Sequence, residues 1–140
     1  MTTTFGFTGK KAVATGAGGA IGGEIARGLA KAGAQVAIWD ISLDAARAKA
    51  DEINLNHPNK AIPVECDAIN KSSVEKALAE TLEHFSTVDL LLNGAGGSHP
   101  STTTTPDLEF FDIAPEAVQK VMDLNYLSAV IPSQAVGRVF

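Results

Sequence analysis

Residues 15–23 read TGAGGAIGG: one threonine, five glycines, two alanines and one isoleucine. So many glycines suit neither a helix nor a strand interior, where each loses more backbone entropy than any other residue and packs nothing. The run follows a short apolar stretch, Lys11–Thr15 (KAVAT). It precedes Ile21, Ile25 and Leu29, which recur every four residues as one helical face would. The pattern predicts a strand, a tight glycine-rich turn and a helix packed through that stripe, ending near Gly33 as a C-terminal cap. Such a turn exposes backbone N–H groups at the positive end of a helix, where a phosphate is at home. Glycine lets a pyrophosphate approach with no Cβ between. The plainer alternative is a turn whose glycines only let helix and strand pack closely.

Outward from this stretch the same alternation repeats. Gln35–Trp39 (QVAIW) is a second apolar run that stops at Asp40. Ser42 is placed to cap a helix with Leu43, Ala46, Ala50 and Ile53 on one face, and His57-Pro58-Asn59 ends it. Ala61–Cys66 (AIPVEC) reads as a third strand stopping at Asp67, and Pro63 confines it to the margin of a sheet. Ser72-Ser73-Val74-Glu75 has the form of a capping box, followed by a stripe of Val74, Ala77, Leu78, Leu82 and Phe85. Val88–Leu92 (VDLLL) is a fourth strand, broken at Asn93-Gly94-Ala95-Gly96-Gly97. SHPSTTTTPD then reads as a mobile loop, and a last helix starts near Pro115 and runs through Val118, Val121 and Met122. Strands that are continuously apolar, alternating with helices, predict an α/β fold: a doubly wound, Rossmann-type parallel sheet covered on both faces.

Composition sets bounds on function. The chain has 140 residues, 45% of them hydrophobic and 19% charged, and a net charge of −5, so one domain spanning 1–140 is expected. The acidic balance argues against a nucleic-acid surface. No apolar run approaches the roughly 20 residues that span a bilayer, and no secretion signal is evident at the N-terminus. The single cysteine, Cys66, forms no internal disulfide, which suits a reducing, cytoplasmic location.

In open parallel sheets ligands bind beyond the carboxyl ends of the strands. The common G-x-G-x-x-G spacing fails here, because Ile21 stands where its last glycine would fall; Thr15-Gly16 followed by Gly22 is what fits. Asp40 ends the second strand, 24 residues after Gly16, about where an acidic side chain meets an adenosine ribose. A carboxylate there accepts from a 2′-hydroxyl and repels a 2′-phosphate, favouring NAD over NADP. Its alternative role is to cap the next helix, for which Ser42 is better placed.

Together these residues resemble the short-chain dehydrogenase/reductase family, over the whole chain and as the N-terminal half of a typical member. Thr15, Gly16 and Gly22 match its T-G-x-x-x-G-x-G motif, with Ala20 in place of the middle glycine. Gly16, Gly19 and Gly22 also fit the spacing of the extended, epimerase-like branch. Asn93, Ala95 and Gly96 match the N-N-A-G element of the single-domain branch, with Gly94 for its second asparagine, and this counts against the epimerase reading. The resemblance implies that Thr15, Gly16, Gly19, Ala20, Ile21, Gly22, Asp40, Asn93, Ala95 and Gly96 bind the cofactor. It also implies that Asp67 and Ala68 meet the adenine. Asn125 corresponds to the catalytic-helix asparagine that helps hold a water in a proton relay. By spacing it falls four residues after Val121 and three after Met122, on the expected buried stripe, so a purely structural tie is the other reading.

The family's serine, tyrosine and lysine are another matter. The only tyrosine is Tyr126, four residues on stands Val130, and no lysine follows Lys120. The expected chain is therefore the cofactor-binding half of an oxidoreductase, truncated after the fourth strand and its helix and inactive alone. The rival is a non-catalytic nucleotide-binding module. His57, His84, His99 and Cys66 lack metal-ligand spacing, and no metal is expected. Trp39 and Cys66 read as core, and Thr102–Thr105 as loop or as the border of a substrate cleft. The stretch GAGGSHPSTTT further resembles the fructuronate reductase-like (D-mannonate oxidoreductase) subgroup, implying a small sugar-acid substrate. Family members assemble through helices around Asn125, implying a homo-oligomer.

Overall fold

The computed structural model describes residues 6–140. Lys11–Thr15 (β1), Gln35–Asp40 (β2), Ala61–Glu65 (β3) and Leu90–Asn93 (β4) form a parallel sheet in the order β3-β2-β1-β4. Helices Ala20–Lys31 (α1), Leu43–Asn56 (α2), Lys71–Phe85 (α3) and Pro115–Val136 (α4) follow the strands in turn. Side chains alternate across each strand. Ala12, Ala14, Val36 and Ile38 face Ala26, Ala30, Ala46 and Ile53 of α1 and α2. Val13, Ala37, Trp39 and Val64 face Val74, Ala77 and Phe85 of α3 and Val136 of α4. Both faces of the central strands β1 and β2 are thus dry, which is why these two read as unbroken apolar runs. Pro63 lies in the edge strand β3, opposite Ile38, as its missing N–H requires.

The order of the strands places the site. The chain winds outward from β1 through β2 to β3, then returns to the other side of β1 to form β4. The winding direction reverses between β1 and β4, and a crevice opens there at the carboxyl ends.

Three local expectations are corrected, and one loop gains detail. The buried face of α1 is Gly22, Gly23, Ala26 and Ala30, while Ile21 is 81% and Ile25 44% exposed. Small residues let the helix axis approach the sheet; Ile21 and Ile25 of the aliphatic stripe face outward, while Leu29 is half-buried against the core. The cap of α3 is Asn70, whose side chain accepts from the Ser73 N–H at 3.1 Å, and the Ser73 hydroxyl turns away to accept from Asp67 N–H at 2.9 Å. On α4 the buried positions are Ser128, Pro132 and Val136, all in its C-terminal half. Val118 and Met122 are exposed, and Asn125 is exposed instead of lying on a buried stripe. The loop after β4 is locally wound: His99 caps a 3₁₀ turn at Pro100–Thr102, and its carbonyl accepts from the Thr102 and Thr103 hydroxyls at 3.1 and 3.0 Å.

Candidate functional site

A cleft of about 300 Å³ lies at the carboxyl ends of β1, β2 and β4, lined by Gly16, Gly19, Asp40, Ile41, Asp67, Ala68, Gly94, Ala95, Gly96 and Leu124, among others. A larger hollow of about 520 Å³ between α3 and α4 is remote from the switch point and gathers none of these groups.

The floor is the glycine turn. Gly16 has φ +61, and a Cβ there would stand 2.8 Å from the Ala95 Cα. At Gly22 a Cβ would meet the Gly16 carbonyl oxygen at 2.7 Å, and at Gly18 the Asp40 carboxyl carbon at 2.9 Å. These glycines are therefore required by packing, so close packing and ligand access share the same turn. Gly19 has the mildest of these internal contacts, 3.3 Å to the Gly16 carbonyl, and it lines the cleft. It also occupies the N-cap of α1 with no capping side chain, whereas Ser42 and Asn70 cap α2 and α3. The N–H groups of the first turn of α1 are thus left for another acceptor.

Asp40 forms the wall at the end of β2. Its Oδ2 accepts from Gly18 N–H and its Oδ1 from Ser42 N–H, both at 3.0 Å. Two backbone donors fix the carboxylate in place, and each oxygen retains acceptor capacity. Asp67 closes the far side in a short turn, its Oδ1 accepting from Ile69 N–H at 3.1 Å. Beside it, Cys66 is buried; burial first, then the Asp67 charge, pushes its thiol up to about 12, against a hydrogen bond from Ser73 that acts the other way. That thiol is a small core group and no nucleophile.

The opposite wall is the Gly94–Gly97 segment. Thr15 is 1% exposed, and its Oγ1 accepts from Gly94 N–H at 3.1 Å and Ala95 N–H at 3.2 Å. It stands behind the wall and shapes it. Asn125 clasps the far end: its Oδ1 accepts from Gly97 N–H at 3.0 Å, and its Nδ2 donates to Gly97 O at 2.8 Å and Val121 O at 2.8 Å. Asn93 donates to the Ser133 hydroxyl at 3.0 Å, tying β4 to α4.

Of the residues expected from sequence, Gly16, Gly19, Asp40, Asp67, Ala68, Ala95 and Gly96 line the cleft. Thr15 and Asn125 act on it from behind, and Ala20, Ile21, Gly22 and Asn93 are not in its lining. None of Thr102–Thr105 lines it either. Ile41, Ile69 and Leu124 also line it, simple apolar residues that carry no local signal in the sequence. Ser128 donates to Ala95 O at 2.8 Å; its place three residues after Asn125 was the available clue.

The family model for short chain dehydrogenases matches residues 10–140. The chain belongs to the short chain dehydrogenase family. An uncharacterized oxidoreductase, UxuB, of Bacillus subtilis is 34% identical over 138 residues, covering 93% of this chain and 49% of that protein. A sorbitol dehydrogenase of Cereibacter sphaeroides is 32% identical, covering 93% of this chain and 46% of its own. Among solved structures, a candidate D-mannonate oxidoreductase from Haemophilus influenza with bound NAD superposes with a TM-score of 0.85 at 29% identity, covering 95% of this chain and 51% of that one. The chain therefore spans about half the length of the relatives it matches. No helix among the described residues is long and apolar enough to cross a membrane.

Proposed function

We propose that residues 1–140 form the NAD-binding half of a dehydrogenase domain that interconverts a secondary alcohol and a ketone on a small sugar acid. The observation that carries this reading is the arrangement around the uncapped N-terminus of α1. Asp40, held by two backbone N–H groups, stands on one side, and the clasped Gly94–Gly97 segment stands on the other. The first-turn N–H groups of α1 would hold a pyrophosphate. Asp40 would accept from an adenosine ribose hydroxyl, with Asp67 and Ala68 around the adenine. Bound there, NAD supplies a hydride acceptor. The chain's own residues bind and orient it, and Asn125 holds the end of the site where a proton relay would run.

No lysine or arginine stands among Asp40, Ile41, Asp67, Ala68 and Ile69 at the adenosine end, so nothing there would neutralise a 2′-phosphate. Calorimetry should give NAD a Kd at least about tenfold lower than NADP, since like-charge contact costs on the order of 1.4 kcal/mol or more. Asp40→Ser should remove most of that preference. Equal affinity for both, or tighter NADP, would overturn the assignment of Asp40.

Turnover is proposed for the whole protein. These 140 residues hold no tyrosine followed four positions later by lysine, and alone they should bind NAD without oxidising any alcohol. The sugar-acid class rests on the resemblance of the GAGGSHPSTTT stretch and on the D-mannonate oxidoreductase neighbour. A panel of sugar acids and polyols with NAD tests it. The exposed stripe Val118, Met122 and Tyr126 on α4 supports a homo-oligomer, and the lone buried cysteine a cytoplasmic home.

A further inference from the structure

Ser128 is fully buried, at 0% exposure. A buried helical hydroxyl commonly bonds back to the carbonyl one turn earlier, as Thr81 does to Ala77 O at 2.8 Å. Ser128 instead reaches off its helix and donates to Ala95 O at 2.8 Å. Ala95 is therefore held from both sides, its N–H by Thr15 at 3.2 Å and its carbonyl by Ser128. Three residues earlier on the same helix, Asn125 grips Gly97 through both N–H and C=O. Between these two grips lies Gly96, with φ +151 and a virtual Cβ only 2.6 Å from Asn125 Oδ1. The peptide planes on either side of it have little room to turn.

The order of the cleft gives this grip a ligand. Asp40 lies on the β2 side of the glycine turn and Gly94–Gly96 on the β4 side. A dinucleotide with its adenosine at Asp40 and its pyrophosphate over α1 must lay its second nucleoside against Gly94–Gly96. We propose that Ser128 is a positioning residue for the nicotinamide half of the cofactor: by donating to the Ala95 carbonyl it sets the orientation of the peptide surface that this half meets. The inference rests on the reading of the cleft as a dinucleotide site.

The test compares two ligands that share the adenosine end. Ser128→Ala should raise the calorimetric Kd for NAD about fivefold, the scale of one lost hydrogen bond to a buried carbonyl, and leave the Kd for ADP within about twofold. Thr81→Ala, which removes a buried hydroxyl bonded to Trp39 Nε1 at 2.9 Å and remote from the cleft, should change neither ligand's affinity. Equal weakening of NAD and ADP by Ser128→Ala, or no change in either, would overturn the role of Ser128 while the dinucleotide site stands. Wild-type protein that binds neither ligand would overturn both. If Ser128→Ala does not fold, Ser128→Cys, similar in size but a weaker donor, is read by the same split.

Discussion

In the glycine turn Gly16 and Gly22 press against backbone atoms, whereas the Gly94–Gly97 wall, close-packed at Gly94 too, is also held by the side chains of Thr15, Asn125 and Ser128. At Gly16, Gly18 and Gly22 an added Cβ would come within 2.9 Å of a neighbouring atom, so the turn admits one geometry. Across the cleft, among the described residues, the leucines of β4 are only half-buried and no residue in the first half of α4 is fully buried. With little apolar burial to locate it, the segment takes its place from directional hydrogen bonds. Sterics and hydrogen bonds thus divide the work of shaping one site, and they fail differently when altered.

The steric wall should give the largest effect. Gly16→Ala combines a left-handed φ with a clash against the Ala95 backbone, and denaturant unfolding should show a loss of about 3 kcal/mol. A change near zero would mean that the two walls can part without penalty. Thr15→Val keeps the volume but deprives two N–H groups, those of Gly94 and Ala95, of their acceptor. A loss of about 2 kcal/mol is expected, with weaker NAD binding alongside. Should Thr15→Val prove as harmful as Gly16→Ala, the contrast between the walls would narrow to a single shared seam.

Gly28 sharpens the contrast from the other direction. It lies inside α1 with nothing within 4 Å of a virtual Cβ, so Gly28→Ala should stabilise by about 0.5–1 kcal/mol. Smallest near neutral pH is the effect of Cys66. Its thiol is held protonated in the fold, with its pKa raised to about 12. That contribution is intact below the unfolded value of about 8.5 and is lost as pH rises from there toward the folded value. Native protein should resist thiol reagents near pH 8, and Cys66→Ala should flatten the alkaline decline in stability. Rapid labelling of the native protein would show that the adenosine end opens easily.

Much of the cleft could be read along the chain because its residues sit at strand ends, and strand ends are marked locally. Asp40 follows an apolar run, Asp67 follows another, and Asn93 begins a glycine break after a third. The helix faces were harder. On α1 the residues chosen for hydrophobicity, Ile21 and Ile25, point outward, because close approach to the sheet selects for size and the glycines and alanines win. For Asn125 the expected burial does not hold: it is exposed, and its side chain holds the Gly97 backbone 28 residues away. Periodicity reports which residues share a face, but not which face the sheet occupies.

The alternation of strands and helices, the glycine turn at the first strand's end and the acidic residue at the second's are all legible along the chain. Local propensity, capping and turn chemistry act over a few residues, so they leave their mark within a few residues. That Thr15 serves the opposite wall and that Ser128 reaches Ala95 is visible in three dimensions alone. Those contacts join residues 33 to 80 positions apart. Each depends on where a side chain of one element meets the backbone of a distant one, which local propensity does not encode.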